Sequence, residues 1–200
     1  MTDQELVTRI IQGDDAQFNT LVWRWEKPIF NFALRYLGDK EQAQEISQKT
    51  FIRVYKNIRK LREAQRFSPW IYQIAANLCK DEIKKLTNRD FISIDSLQEN
   101  SENGHLMPNE LIENINHQPD AAINQKQIGQ IIQQALQQIP EEQRVVIIMK
   151  EYQGLKFKEI AEALGEPLNT VKSRMYYGLN GLRKIFEKWQ ITQEVLNYEM

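Results

Sequence analysis

The sequence is poor in the residues that stabilise small disulfide-rich, metal-dependent or turn-rich folds. Its 200 residues include one cysteine, Cys79, and two histidines, His105 and His117. One cysteine cannot form an internal disulfide, and histidines twelve residues apart do not have the spacing of a zinc site. Eight glycines and six prolines are few for a turn-rich sheet protein. We therefore expect helices, no bound metal and no cofactor.

Long apolar runs are missing as well. A membrane-spanning helix needs about 18 unbroken apolar residues, and no segment approaches that length. The first residues, Met1 to Glu5, are acidic and lack the basic start and apolar core of a signal peptide. The 42% of apolar residues is enough to build one or two compact domains. These features predict a cytoplasmic protein.

A net charge of −1 hides a strong segregation of charge along the chain. Residues 50–89 hold 10 basic and 3 acidic residues, whereas residues 90–125 hold 7 acidic residues and no lysine or arginine. Residues 1–49 hold 6 basic and 8 acidic residues, and residues 126–200 hold 10 and 9. Because attraction to nucleic acid depends on local potential, the basic segment is compatible with phosphate binding.

The acidic segment, residues 90–125, shows no sustained helical or strand period. It contains Asn103-Gly104 and Met107-Pro108, which are typical of turns and loops. We predict a flexible linker there. The short apolar run from Phe91 to Ile94 leaves open that part of it docks on another surface.

Apolar residues recur at helical spacing through the first 89 residues, which predicts a bundle of about four amphipathic helices. The last of these is predicted to begin near Ser68, as N-cap, with Pro69 at its first position. Its polar residues fall at i, i+3, i+4, i+7 and i+8 and therefore share one mostly cationic face. They are Asn77, Lys80, Asp81, Lys84 and Lys85.

Just before this face, aromatic and basic residues alternate. Arg66, Phe67, Trp70 and Tyr72 combine ring surface with positive charge, which is typical of sites for single-stranded nucleic acid. Aromatic residues at helical spacing are also typical of a core, so burial of Phe67 and Trp70 remains the alternative.

The C-terminal part predicts three further helices. The first follows Pro140 and turns Val145, Ile148, Met149 and Tyr152 inward. The second runs from Phe157 to a turn at Gly165, with Phe157, Ile160, Ala161 and Leu164 inward. The third, capped by Asn169, buries Val171, Met175, Leu179 and Leu182. The last two form a helix-turn-helix pattern, whose second helix can enter the major groove by its N-terminal residues. A plain helical hairpin has the same pattern and is the alternative.

Three segments, taken in order, resemble the extracytoplasmic-function (ECF) sigma factors of bacterial RNA polymerase, a group with only the two domains called sigma-2 and sigma-4. They are Ala43 to Phe51 (AQEISQKTF), Phe67 to Asn77 (FSPWIYQIAAN) and Gly154 to Arg174. The resemblance implies an all-α protein with a sigma-2 domain over 1–89, an acidic linker over 90–125, a sigma-4 helix-turn-helix domain over 126–188 and a tail over 189–200.

The resemblance also implies partners and sites. The partners are core RNA polymerase, promoter DNA and an anti-sigma factor, and sigma factors themselves catalyse no reaction. The residues implied in core binding are Glu45, Gln48, Lys49, Phe51 and Ile52. Those implied in binding the minus 10 element, including a flipped base, are Arg66, Phe67, Asn77, Lys80, Asp81, Lys84 and Lys85. Those implied in binding the minus 35 element are Thr170, Lys172, Ser173, Arg174, Tyr176 and Tyr177.

Some positions differ from the family pattern. The family usually has an acid where Lys49 stands and an aspartate where Glu45 stands, and it often has arginine at Tyr177 and Asn180. The sequence leaves two other functions as alternatives. In a stand-alone helix-turn-helix regulator, only the C-terminal part would bind DNA, usually as a dimer. An enzyme would need a catalytic constellation, and the sequence shows no nucleophile-base set or phosphate-binding loop.

Overall fold

The computed structural model describes residues 1–93 and 125–191. These residues form helices and contain no strand. The first lobe consists of α1 (Asp3–Ile11), α2 (Gln17–Leu37), α3 (Lys40–Asn57) and α4 (Phe67–Ser93), with 3-10 turns at Ile58–Lys60 and Ala64–Arg66. The second lobe consists of α5 (Gln125–Gln137), α6 (Glu141–Ile147), a π-helical turn (Ile148–Tyr152), α7 (Phe157–Leu164) and α8 (Leu168–Lys188). The all-α, two-lobe prediction is confirmed.

Local sequence explains where the first helices begin. Thr2 and Glu5 form a capping box, in which each side chain accepts a hydrogen bond from the other residue's backbone N–H. The Asp39 carboxylate accepts from the Gln42 N–H at 2.7 Å and starts α3. Helices α1 and α3 therefore begin where the sequence supplies a capping side chain.

Aromatic rings fill the centre of the first lobe. Phe32 is fully buried, and its ring lies 5.8 Å from that of Tyr36 and 5.3 Å from that of Tyr72, between centroids. Trp25 packs edge-on against Tyr72 and Phe67. Cys79 is buried among these residues, as expected for a small apolar side chain. The first lobe thus has the aromatic core that its helical periodicity predicted.

In the second lobe, α8 crosses α6 closely at a glycine. A Cβ on Gly178 would lie 2.7 Å from Ile147 Cδ1 and 3.1 Å from Gln143 Cβ, so a larger residue would push the helices apart. Leu179, predicted to be buried, is 46% exposed instead. The turn at Gly165, with φ of +67°, is confirmed, but α8 begins at Leu168, one residue before the predicted cap at Asn169.

The two lobes pack against each other through one continuous apolar core. Residues of both lobes, such as Tyr72 of α4 and Leu155 of the second lobe, belong to the same buried cluster. The Tyr36 hydroxyl donates to the Glu141 carboxylate at 2.7 Å, and the Tyr72 hydroxyl donates to the Gln153 amide oxygen. The described residues therefore form a closed arrangement.

The second lobe also caps the C-terminal turn of α2. The last carbonyls of a helix have no partner within it and need one outside. Gln133 Nε2 donates to the Leu34 carbonyl at 2.9 Å, Gln137 Nε2 donates to the Arg35 carbonyl at 3.0 Å, and Arg144 Nη1 donates to the Tyr36 carbonyl at 2.8 Å. Three side chains of one lobe thus terminate a helix of the other.

The structure corrects some predicted bounds and orientations. Helix α4 begins at Phe67 instead of near Ser68, and it continues through Ser93, four residues into the predicted linker. Tyr152, predicted to face inward, is 38% exposed, with the Arg35 guanidinium carbon 4.1 Å from its ring centroid. The rest of the predicted linker, except Gln125, and the tail after Ile191 lie outside the described residues.

Burial of Tyr72 predicts a loss of stability at alkaline pH. Burial raises the pKa of its hydroxyl well above the ordinary value of 10.0, because the charged form is poorly solvated. The unfolded chain therefore loses this proton first, and the contribution to stability, complete below pH 10, declines as pH rises further. Between pH 8 and 11, the free energy of unfolding should fall by about 1.4 kcal/mol less in Tyr72→Phe than in the wild type. Urea unfolding at the two pH values measures this difference. The control Tyr55→Phe, at an exposed position, should behave as the wild type.

Candidate nucleic-acid interface

One face of α3 is free of contacts with the core. Ala43, Ile46, Thr50 and Val54 are buried, which leaves the opposite side of the helix in solvent. The predicted core-binding residues divide accordingly. Glu45, Gln48 and Ile52 are exposed, Lys49 is half-buried, and Phe51 is half-buried against the core.

Glu45 and Lys49 form an ion pair on this face. Lys49 Nζ lies 2.5 Å from Glu45 Oε1, one helical turn away. The hydrogen bond and charge of Lys49 lower the pKa of the Glu45 carboxyl. The lysine that departs from the family pattern is thus neutralised locally, and the apolar side chain of Ile52 lies on the same face.

The predicted cationic face of α4 is exposed. Asn77, Lys80, Asp81, Lys84 and Lys85 all face solvent, because the opposite side of the helix buries Ile71, Ala75, Leu78 and Cys79. Lys85 pairs with Glu82 at 3.1 Å. Lys80 and Lys84 form no ion pair with the described part of the chain. Each can therefore bind a phosphate without breaking an existing ion pair.

The segment before α4 places one arginine and two aromatic rings together. Phe67 is 1% exposed, with its ring 5.4 Å from Trp25 and 6.1 Å from Trp70, between centroids. It supports the segment from the core side and cannot touch a base in this arrangement. Trp70 is half-buried, and Arg66 is exposed. Direct contact with nucleic acid in this segment is thus available to Arg66 and Trp70.

Arg66 lies beside a groove shared by the two lobes. The groove has a volume of about 330 Å³. Its first-lobe wall includes Arg62, Arg66 and Trp70, and its second-lobe wall consists of Glu162 and Ala163 of α7. Arg66 forms ion pairs with Glu63 at 2.9 Å and with Glu162 at 2.8 Å.

Helix α8 exposes most of the predicted minus 35 residues. Lys172, Ser173, Tyr176 and Tyr177 face solvent, and the two tyrosine rings pack edge-on. Thr170 is half-buried, and Arg174 pairs with Glu166 at 3.0 Å. The exposed face is therefore centred on Lys172 and the tyrosines, with Arg174 already bound within its own lobe.

Sequence reasoning missed two cations on this helix. Arg183 and Lys184 are exposed and line a groove of about 670 Å³ together with Tyr176 and Tyr177. Positions 176, 180, 183 and 184 fall at i, i+4, i+7 and i+8, so helical spacing alone could have placed them on one face. Together they add positive charge beyond the N-terminal turn of α8.

The described residues hold no cluster of three or more metal-ligating side chains. Within the same ranges, no helix combines the length and apolar character that crossing a membrane requires. The exposed faces are thus defined by cations, amides, hydroxyls and rings, which are the groups that contact phosphates and bases.

Family models match both lobes. The model of sigma-70 region 2 matches residues 21–89, and that of sigma-70 region 4 matches residues 129–180. Two helical lobes with these regions define a two-domain sigma factor of the sigma-70 type.

Comparison with similar proteins identifies the family within this class. The ECF RNA polymerase sigma factor SigW of Bacillus subtilis is 31% identical over 184 residues, which cover 92% of this chain and 96% of SigW. The RNA polymerase sigma-H factor of Pseudomonas aeruginosa is 29% identical over 189 residues, which cover 92% of this chain and 94% of that protein. The chain belongs to the ECF RNA polymerase sigma factors. The family predicted from the sequence is confirmed, its function is that of a sigma factor, and the stand-alone regulator is not favoured.

Solved structures share the fold. CnrH, in complex with the cytosolic domain of CnrY, has a TM-score of 0.64 at 16% identity and covers 93% of this chain and 97% of its own. RpoE of Bartonella quintana, in complex with the anti-sigma factor NepR, has a TM-score of 0.61 at 17% identity and covers 92% and 98%. At these identities the comparison supports the fold alone.

Proposed function

We propose that three exposed helical faces of this sigma factor have separate binding roles. The α3 face docks on core RNA polymerase, the α4 face with Arg66 and Trp70 captures the minus 10 element as single strand, and the α8 face reads the minus 35 element as duplex. The observation that carries the proposal is the α4 face, where Lys80 and Lys84 are exposed and unpaired within the described residues.

The α3 face has the composition of a small docking surface. Exposed Ile52 supplies apolar area, and Gln48 supplies an amide beside it. Buried apolar anchors carry much of the energy of protein interfaces, while surrounding polar groups fix orientation. Because Glu45 and Lys49 neutralise each other, we propose that Ile52 and Gln48 dominate the contact.

The α4 face suits a strand that has left the duplex. A flipped base needs hydrogen bonds to its edge, a ring to cover its face and cations for its phosphates. Asn77 supplies the amide, Trp70 supplies a partly exposed ring, and Lys80 and Lys84 supply charge. Phe67 has a supporting role in this proposal, because it lies beneath Trp70.

The α8 face suits a duplex. Lys172 and Ser173 in the first turns can reach base edges, as recognition helices do, while Arg183 and Lys184 farther along can contact phosphates. The phosphate contacts compensate for Tyr177, where the family often has arginine.

Two further elements belong to the proposal. An anti-sigma factor regulates the protein, as supported by the complexes of the two structural neighbours with CnrY and NepR. The protein acts in the cytoplasm, where core polymerase and promoter DNA are found.

Mixing the purified chain with bacterial core polymerase tests the proposed function. We expect the two to co-elute from a size-exclusion column, and we expect transcripts from a genomic promoter library that core alone does not produce. A chain that elutes apart from core, or that binds duplex tightly and specifically without it, would reject the proposal.

Replacing Asn77 should separate strand capture from docking. We expect Asn77→Ala to reduce strand opening by the holoenzyme about tenfold, because one buried base contact contributes about 1 to 3 kcal/mol. Permanganate reactivity of unpaired thymines measures opening, and co-elution measures core binding, which should stay unchanged. Gln12→Ala, at an exposed amide of the first lobe, should open promoters normally. Equal loss of core binding in Asn77→Ala would contradict the assigned role.

A further inference from the structure

We propose that Glu166 is a positioning residue of the recognition helix. Its carboxylate holds the Arg174 guanidinium in one orientation, in which Arg174 reads the edge of a guanine in the minus 35 element instead of binding phosphates of any sequence. This inference rests on the proposed function of the α8 face and assigns a role to a residue outside that face.

An ion pair joins the turn of the helix-turn-helix to the second turn of α8. Arg174 Nη2 lies 3.0 Å from Glu166 Oε1, and the two side chains are only 25% and 33% exposed. Salt weakens an ion pair shielded to this degree less than it weakens a fully exposed one. Within the described residues, Glu166 is the partner that Arg174 has for its charge. The direction of the arginine side chain therefore depends on this carboxylate.

The backbone on both sides of Glu166 is fixed. The Glu166 N–H donates to the Ala161 carbonyl at 3.0 Å and so closes α7, while Gly165 takes the positive φ of +67° that this turn requires. Pro167 follows, and a proline restricts the residue before it to extended backbone. The Glu166 carboxylate thus extends from a rigid turn and can hold another side chain in place.

Arg174 lies at the edge of the exposed side of α8. Residues three and four apart on a helix are neighbours, so Tyr177 at i+3 and Thr170 at i−4 flank it. Both of these residues belong to the predicted minus 35 set. The Arg174 side chain therefore leaves the helix next to the surface that faces DNA in the proposed function.

The ion pair leaves Arg174 able to bind a base. A guanidinium has five N–H donors, and one contact with Glu166 leaves enough of them for a bidentate contact to guanine O6 and N7. A free arginine side chain loses rotamer freedom on binding, and it can also bind phosphates, which carry no sequence information. Because Glu166 already restricts the side chain and offsets its charge, the ion pair favours the base over the phosphate.

The charges nearby are consistent with this selectivity. Lys172 is exposed and forms no ion pair within the described residues, so the first turns of α8 already have a cation for phosphates. A second free cation there would increase the attraction to DNA of any sequence. The carboxylate of Glu166 offsets the charge that Arg174 would otherwise add.

The test measures binding of the holoenzyme to a promoter recovered from the genomic library. A panel of duplexes replaces each base pair of its minus 35 element in turn, and fluorescence anisotropy gives the dissociation constants. The wild type should bind at least tenfold more weakly when one particular G·C pair becomes A·T, as expected of a bidentate contact. Arg174→Ala should lose this discrimination and keep the discrimination at the other positions.

Glu166→Gln tests the positioning role with a side chain of the same size. Its neutral amide holds the guanidinium less firmly, so discrimination at the same G·C pair should fall about fivefold, with the other positions unchanged. In a chain that already carries Arg174→Ala, Glu166→Gln should have no further effect. Glu151→Gln neutralises an exposed acid of the same lobe and should discriminate as the wild type does.

An ion pair that only stabilises the fold would give a different result. Glu166→Gln would then weaken binding to every duplex of the panel by the same factor, or lower the urea midpoint of unfolding, without changing the preference at one base pair. Either result would overturn the proposal, and so would a panel in which no G·C pair depends on Arg174. A chain that neither binds core nor selects promoters would instead reject the proposed function itself.

Discussion

Ile52→Glu is expected to weaken binding to core polymerase strongly. Ile52 is 54% exposed on α3, so the free protein gains little from its side chain. On docking, an exposed isoleucine at the centre of a contact becomes buried, and a glutamate there would lose its hydration without a partner. We expect the dissociation constant to rise at least about thirtyfold, which corresponds to about 2 kcal/mol. Competition with a fluorescently labelled wild-type chain for core measures this change.

A matched variant separates docking from general damage. Trp23→Glu introduces the same charge at a side chain that is 86% exposed on α2. It should bind core as the wild type does, and both variants should unfold at the wild-type urea concentration. Wild-type affinity in Ile52→Glu would remove the α3 face from the proposed interface.

The largest loss of folding stability is expected from Phe32→Ala. The ring is fully buried and contacts the rings of Tyr36 and Tyr72. Truncation removes its transfer free energy and leaves a cavity among rigid rings that cannot collapse easily, which together cost about 3 to 5 kcal/mol. Urea unfolding followed by circular dichroism should show a lower midpoint with a similar slope.

The same helix supplies the control for this variant. Trp23→Ala removes an even larger ring, but one that is exposed, and the free energy of unfolding should change by less than about 0.5 kcal/mol. A small loss in Phe32→Ala would mean that neighbouring rings refill the space.

Helical periodicity predicted most of the residues that face inward, with Leu179 and Tyr152 as exceptions, and the motifs predicted the family. The cationic row from Asn77 to Lys85 was found because exposed charges at i, i+3 and i+4 need only one helix to be brought together. Leu179 shows where this reasoning fails. Its spacing was right for the core, but Gly178 occupies the contact with α6, since a glycine permits an approach that a leucine would block. Local spacing shows which side of a helix is apolar, but which neighbouring helix that side packs against depends on the tertiary structure.

The contacts between the two lobes could not be predicted from the sequence. Tyr152 has core spacing, yet it lies under Arg35 of the other lobe, and Glu162 has surface spacing, yet it pairs with Arg66. Both partners are about a hundred residues away, and no local pattern marks such pairs. Arg183 and Lys184, by contrast, could have been found by extending the α8 face two turns.

The capping of α2 by the second lobe has a consequence for temperature. When the lobes part, water can replace Gln133, Gln137 and Arg144 at the α2 carbonyls, so hydrogen bonding changes little in net free energy. The apolar area of the interface, however, becomes hydrated, and this raises the heat capacity. Attraction between apolar surfaces weakens on cooling, so chilling should favour the extended form. The two lobes should then separate more readily in a cold cell than in a warm one.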